Sequence, residues 1–74
     1  MKFYYLQTEY RKGGLETSDL YSSFEAALAD LPKFIDWTKE ECEKYTEYGS
    51  SLERGCIYTE EFSTEIHEIN GPDL

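Results

Sequence analysis

The sequence predicts a small α+β domain in which an antiparallel sheet carries one or two helices on one face, in the order β-β-α-(α)-β-(β). Three observations support this class: strict alternation over residues 2–10, a helix-start signal at 22–25, and β-rich composition over 56–69. The chain has 74 residues, which we treat as a single domain, 1–74. A chain of this size buries about 60% of its unfolded surface, so we expect one thin core layer.

The N-terminal segment has the pattern of a hairpin. Residues 2–10 place aromatic side chains at the start of both faces, which is typical of a central strand whose first half is covered on both sides. Gly13 and Gly14 then supply the positive φ values of a tight turn. We therefore expect residues 15–21 to return as an antiparallel strand, although their polar composition indicates an edge strand or a short strand followed by a loop.

The next segment predicts an amphipathic helix. Ser22 and Glu25 fit a capping box, in which the serine accepts from a first-turn amide and the glutamate reaches back. Apolar side chains follow at helical spacing: Phe24, Ala27, Leu28 and Leu31. Pro32 predicts that this helix stops or kinks near Leu31.

Residues 39–48 have two interpretations. Thr38 and Glu41 form a second possible capping box, which favours a helix that continues to Tyr48 and stops at Gly49. The alternation of residues 43–48 favours a strand instead. We favour the helix because two glutamate-rich turns precede this stretch.

The C-terminal third is rich in β-formers. Residues 56–62 and 64–69 form either one long strand or two strands joined near Ser63. Asn70 and Gly71 mark the end of regular structure. The predicted sheet therefore has at least three strands.

The charge is strongly negative and unevenly distributed. Sixteen acidic residues against seven basic ones give a net charge of −9. Residues 38–74 hold ten acidic and three basic residues, a net −7, whereas residues 1–37 carry the other −2. Such a field repels nucleic acid and anionic membranes and attracts basic partners. We expect no direct nucleic-acid or membrane binding, and the lack of a transmembrane stretch or export signal predicts a cytoplasmic protein.

The residues that could carry catalysis are few. We expect no enzyme activity, because the single histidine, His67, has no supporting motif and is expected to face solvent. A pair of His67 with Cys42 or Cys56 is the enzymatic alternative. These three residues are 14 and 11 positions apart, a spacing unlike that of zinc ligands, so we predict neither a metal nor a cofactor. The cysteines are expected to be free thiols unless the fold brings them together.

The carboxylates are the candidate partner-binding residues. We expect one group to decorate the exposed side of the second helix and another to line the C-terminal β region, and both to form a band if these elements lie side by side. The helix group is Glu40, Glu41, Glu43 and Glu47; the β group is Glu60, Glu61, Glu65 and Glu68. Tyr48 would add contact area at low entropic cost, as would Tyr45 and Tyr58 unless they pack the helix onto the sheet. The alternative is a solvated face that keeps the protein soluble.

A very small, acidic α+β chain without catalytic motifs resembles phage-encoded inhibitors of bacterial defence, including anti-CRISPR and other DNA-mimic proteins. The segment Tyr21–Leu28 is also similar to the strand-to-helix step of small phage and bacterial β-β-α-β proteins. The resemblance assigns no functional residues. It implies an inhibitor that blocks a basic nucleic-acid-binding surface of a host protein, such as a CRISPR effector, in the host cytoplasm. The alternative is a structural or regulatory adaptor, homodimeric through a sheet edge at 15–21 or 64–69.

Overall fold

The structure, a computed structural model, describes residues 1–71 and confirms the α+β class. Its strands form one antiparallel sheet of order β2-β1-β4-β3, and the helices pack on one face of that sheet. The elements are β1 (Lys2–Tyr10), β2 (Leu15–Thr17), α1 (Phe24–Phe34), α2 (Lys39–Lys44), a 3₁₀ turn (Glu47–Gly49), β3 (Cys56–Tyr58) and β4 (Phe62–Asn70). No helix within the described residues is long and apolar enough to cross a membrane.

The centre of the sheet is the pairing of β1 with β4 along the full length of both strands. On the helix-covered face Leu6 lies opposite Ile66, and Thr8 lies opposite Thr64. The hydrophobic core cluster consists of one fully buried side chain from each of β1, α1, α2 and β3: Leu6, Leu31, Cys42 and Ile57. Phe3 and Tyr5 point to the opposite face, which carries no helix over residues 1–71 and leaves both half-buried. The first half of β1 was expected to be covered on both sides, and no helix of the described residues covers this second side.

The second strand is shorter than the expected 15–21. It ends at Thr17, and Tyr21 returns as a single bridge to Tyr4. Between them the Ser18 hydroxyl accepts a hydrogen bond of 2.8 Å from the Leu6 amide. The Ser18 side chain thus takes the place of the backbone carbonyl that would accept this bond in a regular β-ladder, and the strand is interrupted.

The first helix starts and ends later than predicted. Its N-cap is Ser23, not Ser22, and the Ser23 hydroxyl accepts from the Ala26 amide at 3.1 Å. The helix also continues through Pro32 to Phe34. Pro32 is buried, so packing against the core offsets the one helical hydrogen bond that its missing N–H removes.

The second helix begins as predicted. The Thr38 hydroxyl accepts from the Glu41 amide at 3.0 Å, and the Glu41 carboxylate accepts from the Thr38 amide at 2.9 Å. These two bonds confirm the capping box. The hydrogen bonds from Thr38 also hold the pKa of Glu41 below its usual value.

This helix ends at Lys44, so the expected extension to Tyr48 is wrong, and so is the strand interpretation of 43–48. The backbone leaves the helix at Tyr45, whose ring packs edge-on against Trp37 at 5.2 Å. Packing of that aromatic side chain against the core overrides the local helical preference.

The C-terminal β region is two strands, and they join at residues 59–61 rather than at Ser63. The Thr59 hydroxyl accepts from the amides of Glu61 and Phe62 at 3.1 and 3.0 Å, which closes the turn. The first half of the segment 64–69 is not the open edge proposed above, because β3 pairs with its start and the Gly55 carbonyl accepts from the Ile66 amide.

Candidate functional site

Hydrogen bonds of Ser50 hold the segment after α2 against the outer edge of β3. The Tyr58 amide donates to the buried Ser50 hydroxyl at 2.7 Å, and this hydroxyl donates to the Tyr58 carbonyl at 3.2 Å. The Tyr45 phenol donates to the same carbonyl at 2.9 Å. These three bonds hold residues 46–49 beside the turn between β3 and β4.

Tyr48 has a left-handed backbone within this segment. Its φ and ψ are 56° and 26°, and its side chain is 60% exposed. Asp36 is the other non-glycine residue with positive φ in the described chain, and aspartate tolerates this region far better than tyrosine does. The conformation costs about 1–2 kcal/mol and persists where surrounding contacts hold it. One such contact is the hydrogen bond of 3.0 Å that the Tyr48 phenol donates to Glu60.

Tyr48 borders a shallow groove of about 400 Å³ with an aromatic floor and an acidic rim. The floor contains Trp37, whose ring centroid lies 5.2 Å from that of Tyr45 and 6.1 Å from that of Phe62. The rim residues are Glu47, Tyr48, Glu60 and Glu61, which we call the Tyr48 patch.

The carboxylates of the Tyr48 patch are not neutralised by neighbours. Among residues 1–71 no ion pair within 4.0 Å involves Glu47, Glu60 or Glu61. The hydrogen bond to Glu60 and, less strongly, burial raise the pKa of Tyr48. The Arg11 guanidinium donates to the Thr59 carbonyl at 3.3 Å, and it has no ion pair within 4.0 Å with these carboxylates. The raised pKa keeps the Tyr48 phenol neutral at physiological pH, so it can donate to Glu60.

The predicted carboxylates of α2 have separate environments. Glu40 pairs with Lys44 at 2.8 Å, one helical turn away. Glu41 is engaged in the cap, and Glu43 lines a different groove between α1 and α2. Of the helix group only Glu47 belongs to the Tyr48 patch, and Glu40, Glu41 and Glu43 lie outside it.

Glu65 and Glu68 lie on opposite faces of β4, as their spacing of three residues requires. On the open face Glu65 accepts from the Tyr58 phenol at 2.7 Å. On the helix-covered face, far from the β3–β4 turn, Glu68 accepts from the Tyr4 phenol at 3.2 Å and lies 3.6 Å from the Lys2 amine. The eight predicted carboxylates therefore form no single band.

The two cysteines do not pair, and Cys42 and His67 lie on opposite sides of the sheet. Both thiols are free: Cys42 lies in the core, where burial raises its pKa, and Cys56 lies half-buried on the open face. His67 is half-buried rather than solvent-facing, because its ring stacks on Tyr5 at 5.3 Å. In the described part of the chain no group of three or more histidine, cysteine or acidic residues is arranged to hold a metal ion.

Sequence reasoning missed Trp37 and Phe62 as part of this site. Phe62 was expected in a strand, and Trp37 lies 25 positions earlier in the chain, outside the elements predicted above. Their spacing leaves no periodic signal, because a turn and a sheet register bring them together. Tyr45 is a half-buried residue that packs beside Trp37, which is the alternative stated for it above. Tyr58 is half-buried on the open face of the sheet, so it does not pack a helix onto the sheet.

Comparison of the chain with protein-family models, with curated proteins and with solved structures finds no match. The geometry and charge of the patch are therefore what bear on its role. An aromatic surface bordered by carboxylates suits a guanidinium or ammonium group, which gains both cation–π and charge-assisted hydrogen-bond contacts there.

Proposed function

We propose that this chain is a non-enzymatic binding protein that uses the Tyr48 patch to cover a basic, nucleic-acid-binding surface of a partner protein. The observation that carries the proposal is Tyr48 itself, an exposed aromatic residue in a left-handed backbone between unpaired carboxylates. Backbone strain of this kind concentrates at functional positions.

In this proposal the Tyr48 patch makes the direct contacts with the partner, and the net charge of the chain accelerates association. Tyr48 and the aromatic floor receive arginine side chains of the partner, and Glu47, Glu60 and Glu61 pair with them. The net charge of −9 steers the encounter and accelerates association. Glu40, Glu41 and Glu43 contribute mainly to that long-range field, because they lie on α2 outside the patch.

The resemblance in size and charge to anti-CRISPR and other DNA-mimic inhibitors makes the proposal more specific. In this more specific proposal, the partner is a CRISPR effector or another nucleic-acid-binding complex in the cytoplasm. Binding would exclude nucleic acid from the basic surface of that partner. Displacement of a protein from nucleic acid is therefore the relevant readout.

The test is a displacement experiment on immobilised double-stranded DNA loaded with a bacterial lysate. The chain is added, and the released proteins are quantified by mass spectrometry. The patch variant Glu47→Gln/Glu60→Gln/Glu61→Gln is compared with wild type. We expect wild type to release a defined DNA-binding protein or complex, and the patch variant to release at least tenfold less.

A charge-matched control separates the patch from the effect of a general polyanion. The variant Asp19→Asn/Asp30→Asn/Glu68→Gln removes the same charge at the Tyr4 end of the sheet, and its amides preserve acceptors for Tyr4 and Tyr21. It should release the same proteins as wild type. If both variants release equally less protein than wild type, net charge alone explains the displacement and the patch has no specific role. If wild type releases no protein, the proposal is refuted.

A second candidate, a homodimeric adaptor, is favoured by the β2 edge of the sheet. Leu15 and Leu20 are 59% and 57% exposed there. Light scattering tests it: a dimer mass that returns to the monomer mass in Leu15→Lys would favour the adaptor. A monomer at all concentrations would exclude it.

A further inference from the structure

A second groove, distinct from the Tyr48 patch, lies between α1, α2 and the loop at residues 50–53. Its volume is about 680 Å³. The apolar part of its lining comes from Leu28, Ala29 and Pro32 of α1 and from Leu52 of the loop. Leu28 and Leu52 are half-buried and Ala29 is exposed, so a ligand can reach this surface. We call this cavity the α1 groove.

Three carboxylates also line this groove, and each comes from a different element. They are Glu25 of α1, Glu43 of α2 and Glu53 of the loop. All three are exposed, and within residues 1–71 none has an ion pair or a side-chain hydrogen bond. Lys39 also lines the groove, which leaves two uncompensated negative charges around an apolar centre.

We propose that the α1 groove binds a basic peptide segment of a partner protein, with an apolar side chain on Leu28, Ala29 and Leu52 and flanking lysine or arginine at the carboxylates. Charge complementarity selects this occupant, because carboxylates from three different segments line the groove together with the apolar side chains. A ligand that satisfies all of them must carry several cations around one apolar group, and a short peptide does so. Contacts from the apolar anchor supply affinity, and the charges supply orientation and partner choice.

The experiment is selection of a displayed library of random peptides against the immobilised full chain, with counter-selection against Ala29→Arg. The arginine places a bulky cation at an exposed helix position within the groove. We expect enriched sequences with an apolar residue flanked by lysine or arginine. The best peptide should bind wild type at least tenfold more tightly than Ala29→Arg, and its amide chemical-shift changes should centre on Leu28, Ala29 and Leu52.

Two further variants locate the peptide. Asp30→Asn makes the same change in net charge as Ala29→Arg on the adjacent residue, which does not line the groove, and it should bind as wild type does. Glu47→Gln/Glu60→Gln/Glu61→Gln should also retain binding, since the inference does not depend on the Tyr48 patch. Loss of binding in the patch variant but not in Ala29→Arg, or enrichment of peptides without basic residues, would overturn the inference.

Discussion

The phenol of Tyr48 donates a hydrogen bond of 3.0 Å to Oε1 of Glu60, and this contact joins the turn after α2 to the turn between β3 and β4. Each turn also has its own support, from Ser50 on one side and Thr59 on the other. The two turns therefore present their carboxylates in a fixed relative position. Such preorganisation reduces the entropy that a partner must overcome on binding.

The strained backbone at Tyr48 leads to a stability prediction. Tyr48→Gly and Tyr48→Ala both remove the ring and its hydrogen bond to Glu60, but glycine relieves the strain of the positive φ and alanine does not. We expect Tyr48→Gly to be more stable than Tyr48→Ala by about 1 kcal/mol. Urea denaturation measures the difference. Equal stabilities would mean that residue 48 has no left-handed strain in solution.

A second prediction concerns the buried pair Thr8 and Thr64, whose hydroxyl oxygens lie 2.7 Å apart between the central strands. Thr64→Val leaves the Thr8 hydroxyl buried without this partner, which should cost about 1–3 kcal/mol. The double variant Thr8→Val/Thr64→Val removes both hydroxyls and keeps the shape, so it should be more stable than Thr64→Val alone. A double-mutant cycle in urea measures the coupling, and purely additive effects would show that the hydroxyls do not interact.

A third prediction is alkaline sensitivity through Tyr58. The hydrogen bond to Glu65 and, less strongly, burial raise the pKa of Tyr58 in the folded state above the value of about 10 in the unfolded state. This contribution to stability is complete below pH of about 10 and is lost as the pH rises through the folded-state pKa. Tyr58→Phe should therefore be less stable than wild type at neutral pH, and the difference should shrink in alkali.

Denaturation curves from neutral to alkaline pH measure this effect. Ile57→Val is the matched control, because it changes the neighbouring buried position without altering an ionisable group. Its stability difference from wild type should stay constant with pH. A constant difference for Tyr58→Phe as well would show that the phenol does not donate to Glu65 in solution.

Elements with a strong local signal could be predicted from the sequence. The alternation of residues 2–10, the turn at Gly13 and the capping box of Thr38 and Glu41 all have their expected structures. In each case the interactions that define the element lie within a few residues of each other. The candidate site was predicted in part, because Glu47, Tyr48, Glu60 and Glu61 were named without knowledge that they converge.

By itself, the sequence determined the α+β class, the excess of negative charge in the C-terminal half and the start of the second helix, because composition, periodicity and caps act locally. The tertiary structure alone decided where that helix ends, since Tyr45 leaves it to pack on Trp37 and bond to β3. The tertiary structure also decided which carboxylates lie close together. Strand alternation sends Glu65 and Glu68 to opposite faces, whereas bonds from Ser50 and Tyr45 to β3 bring Glu47 to Glu60. Such contacts join residues distant in the chain, so they follow from sheet register and core packing rather than from any local pattern.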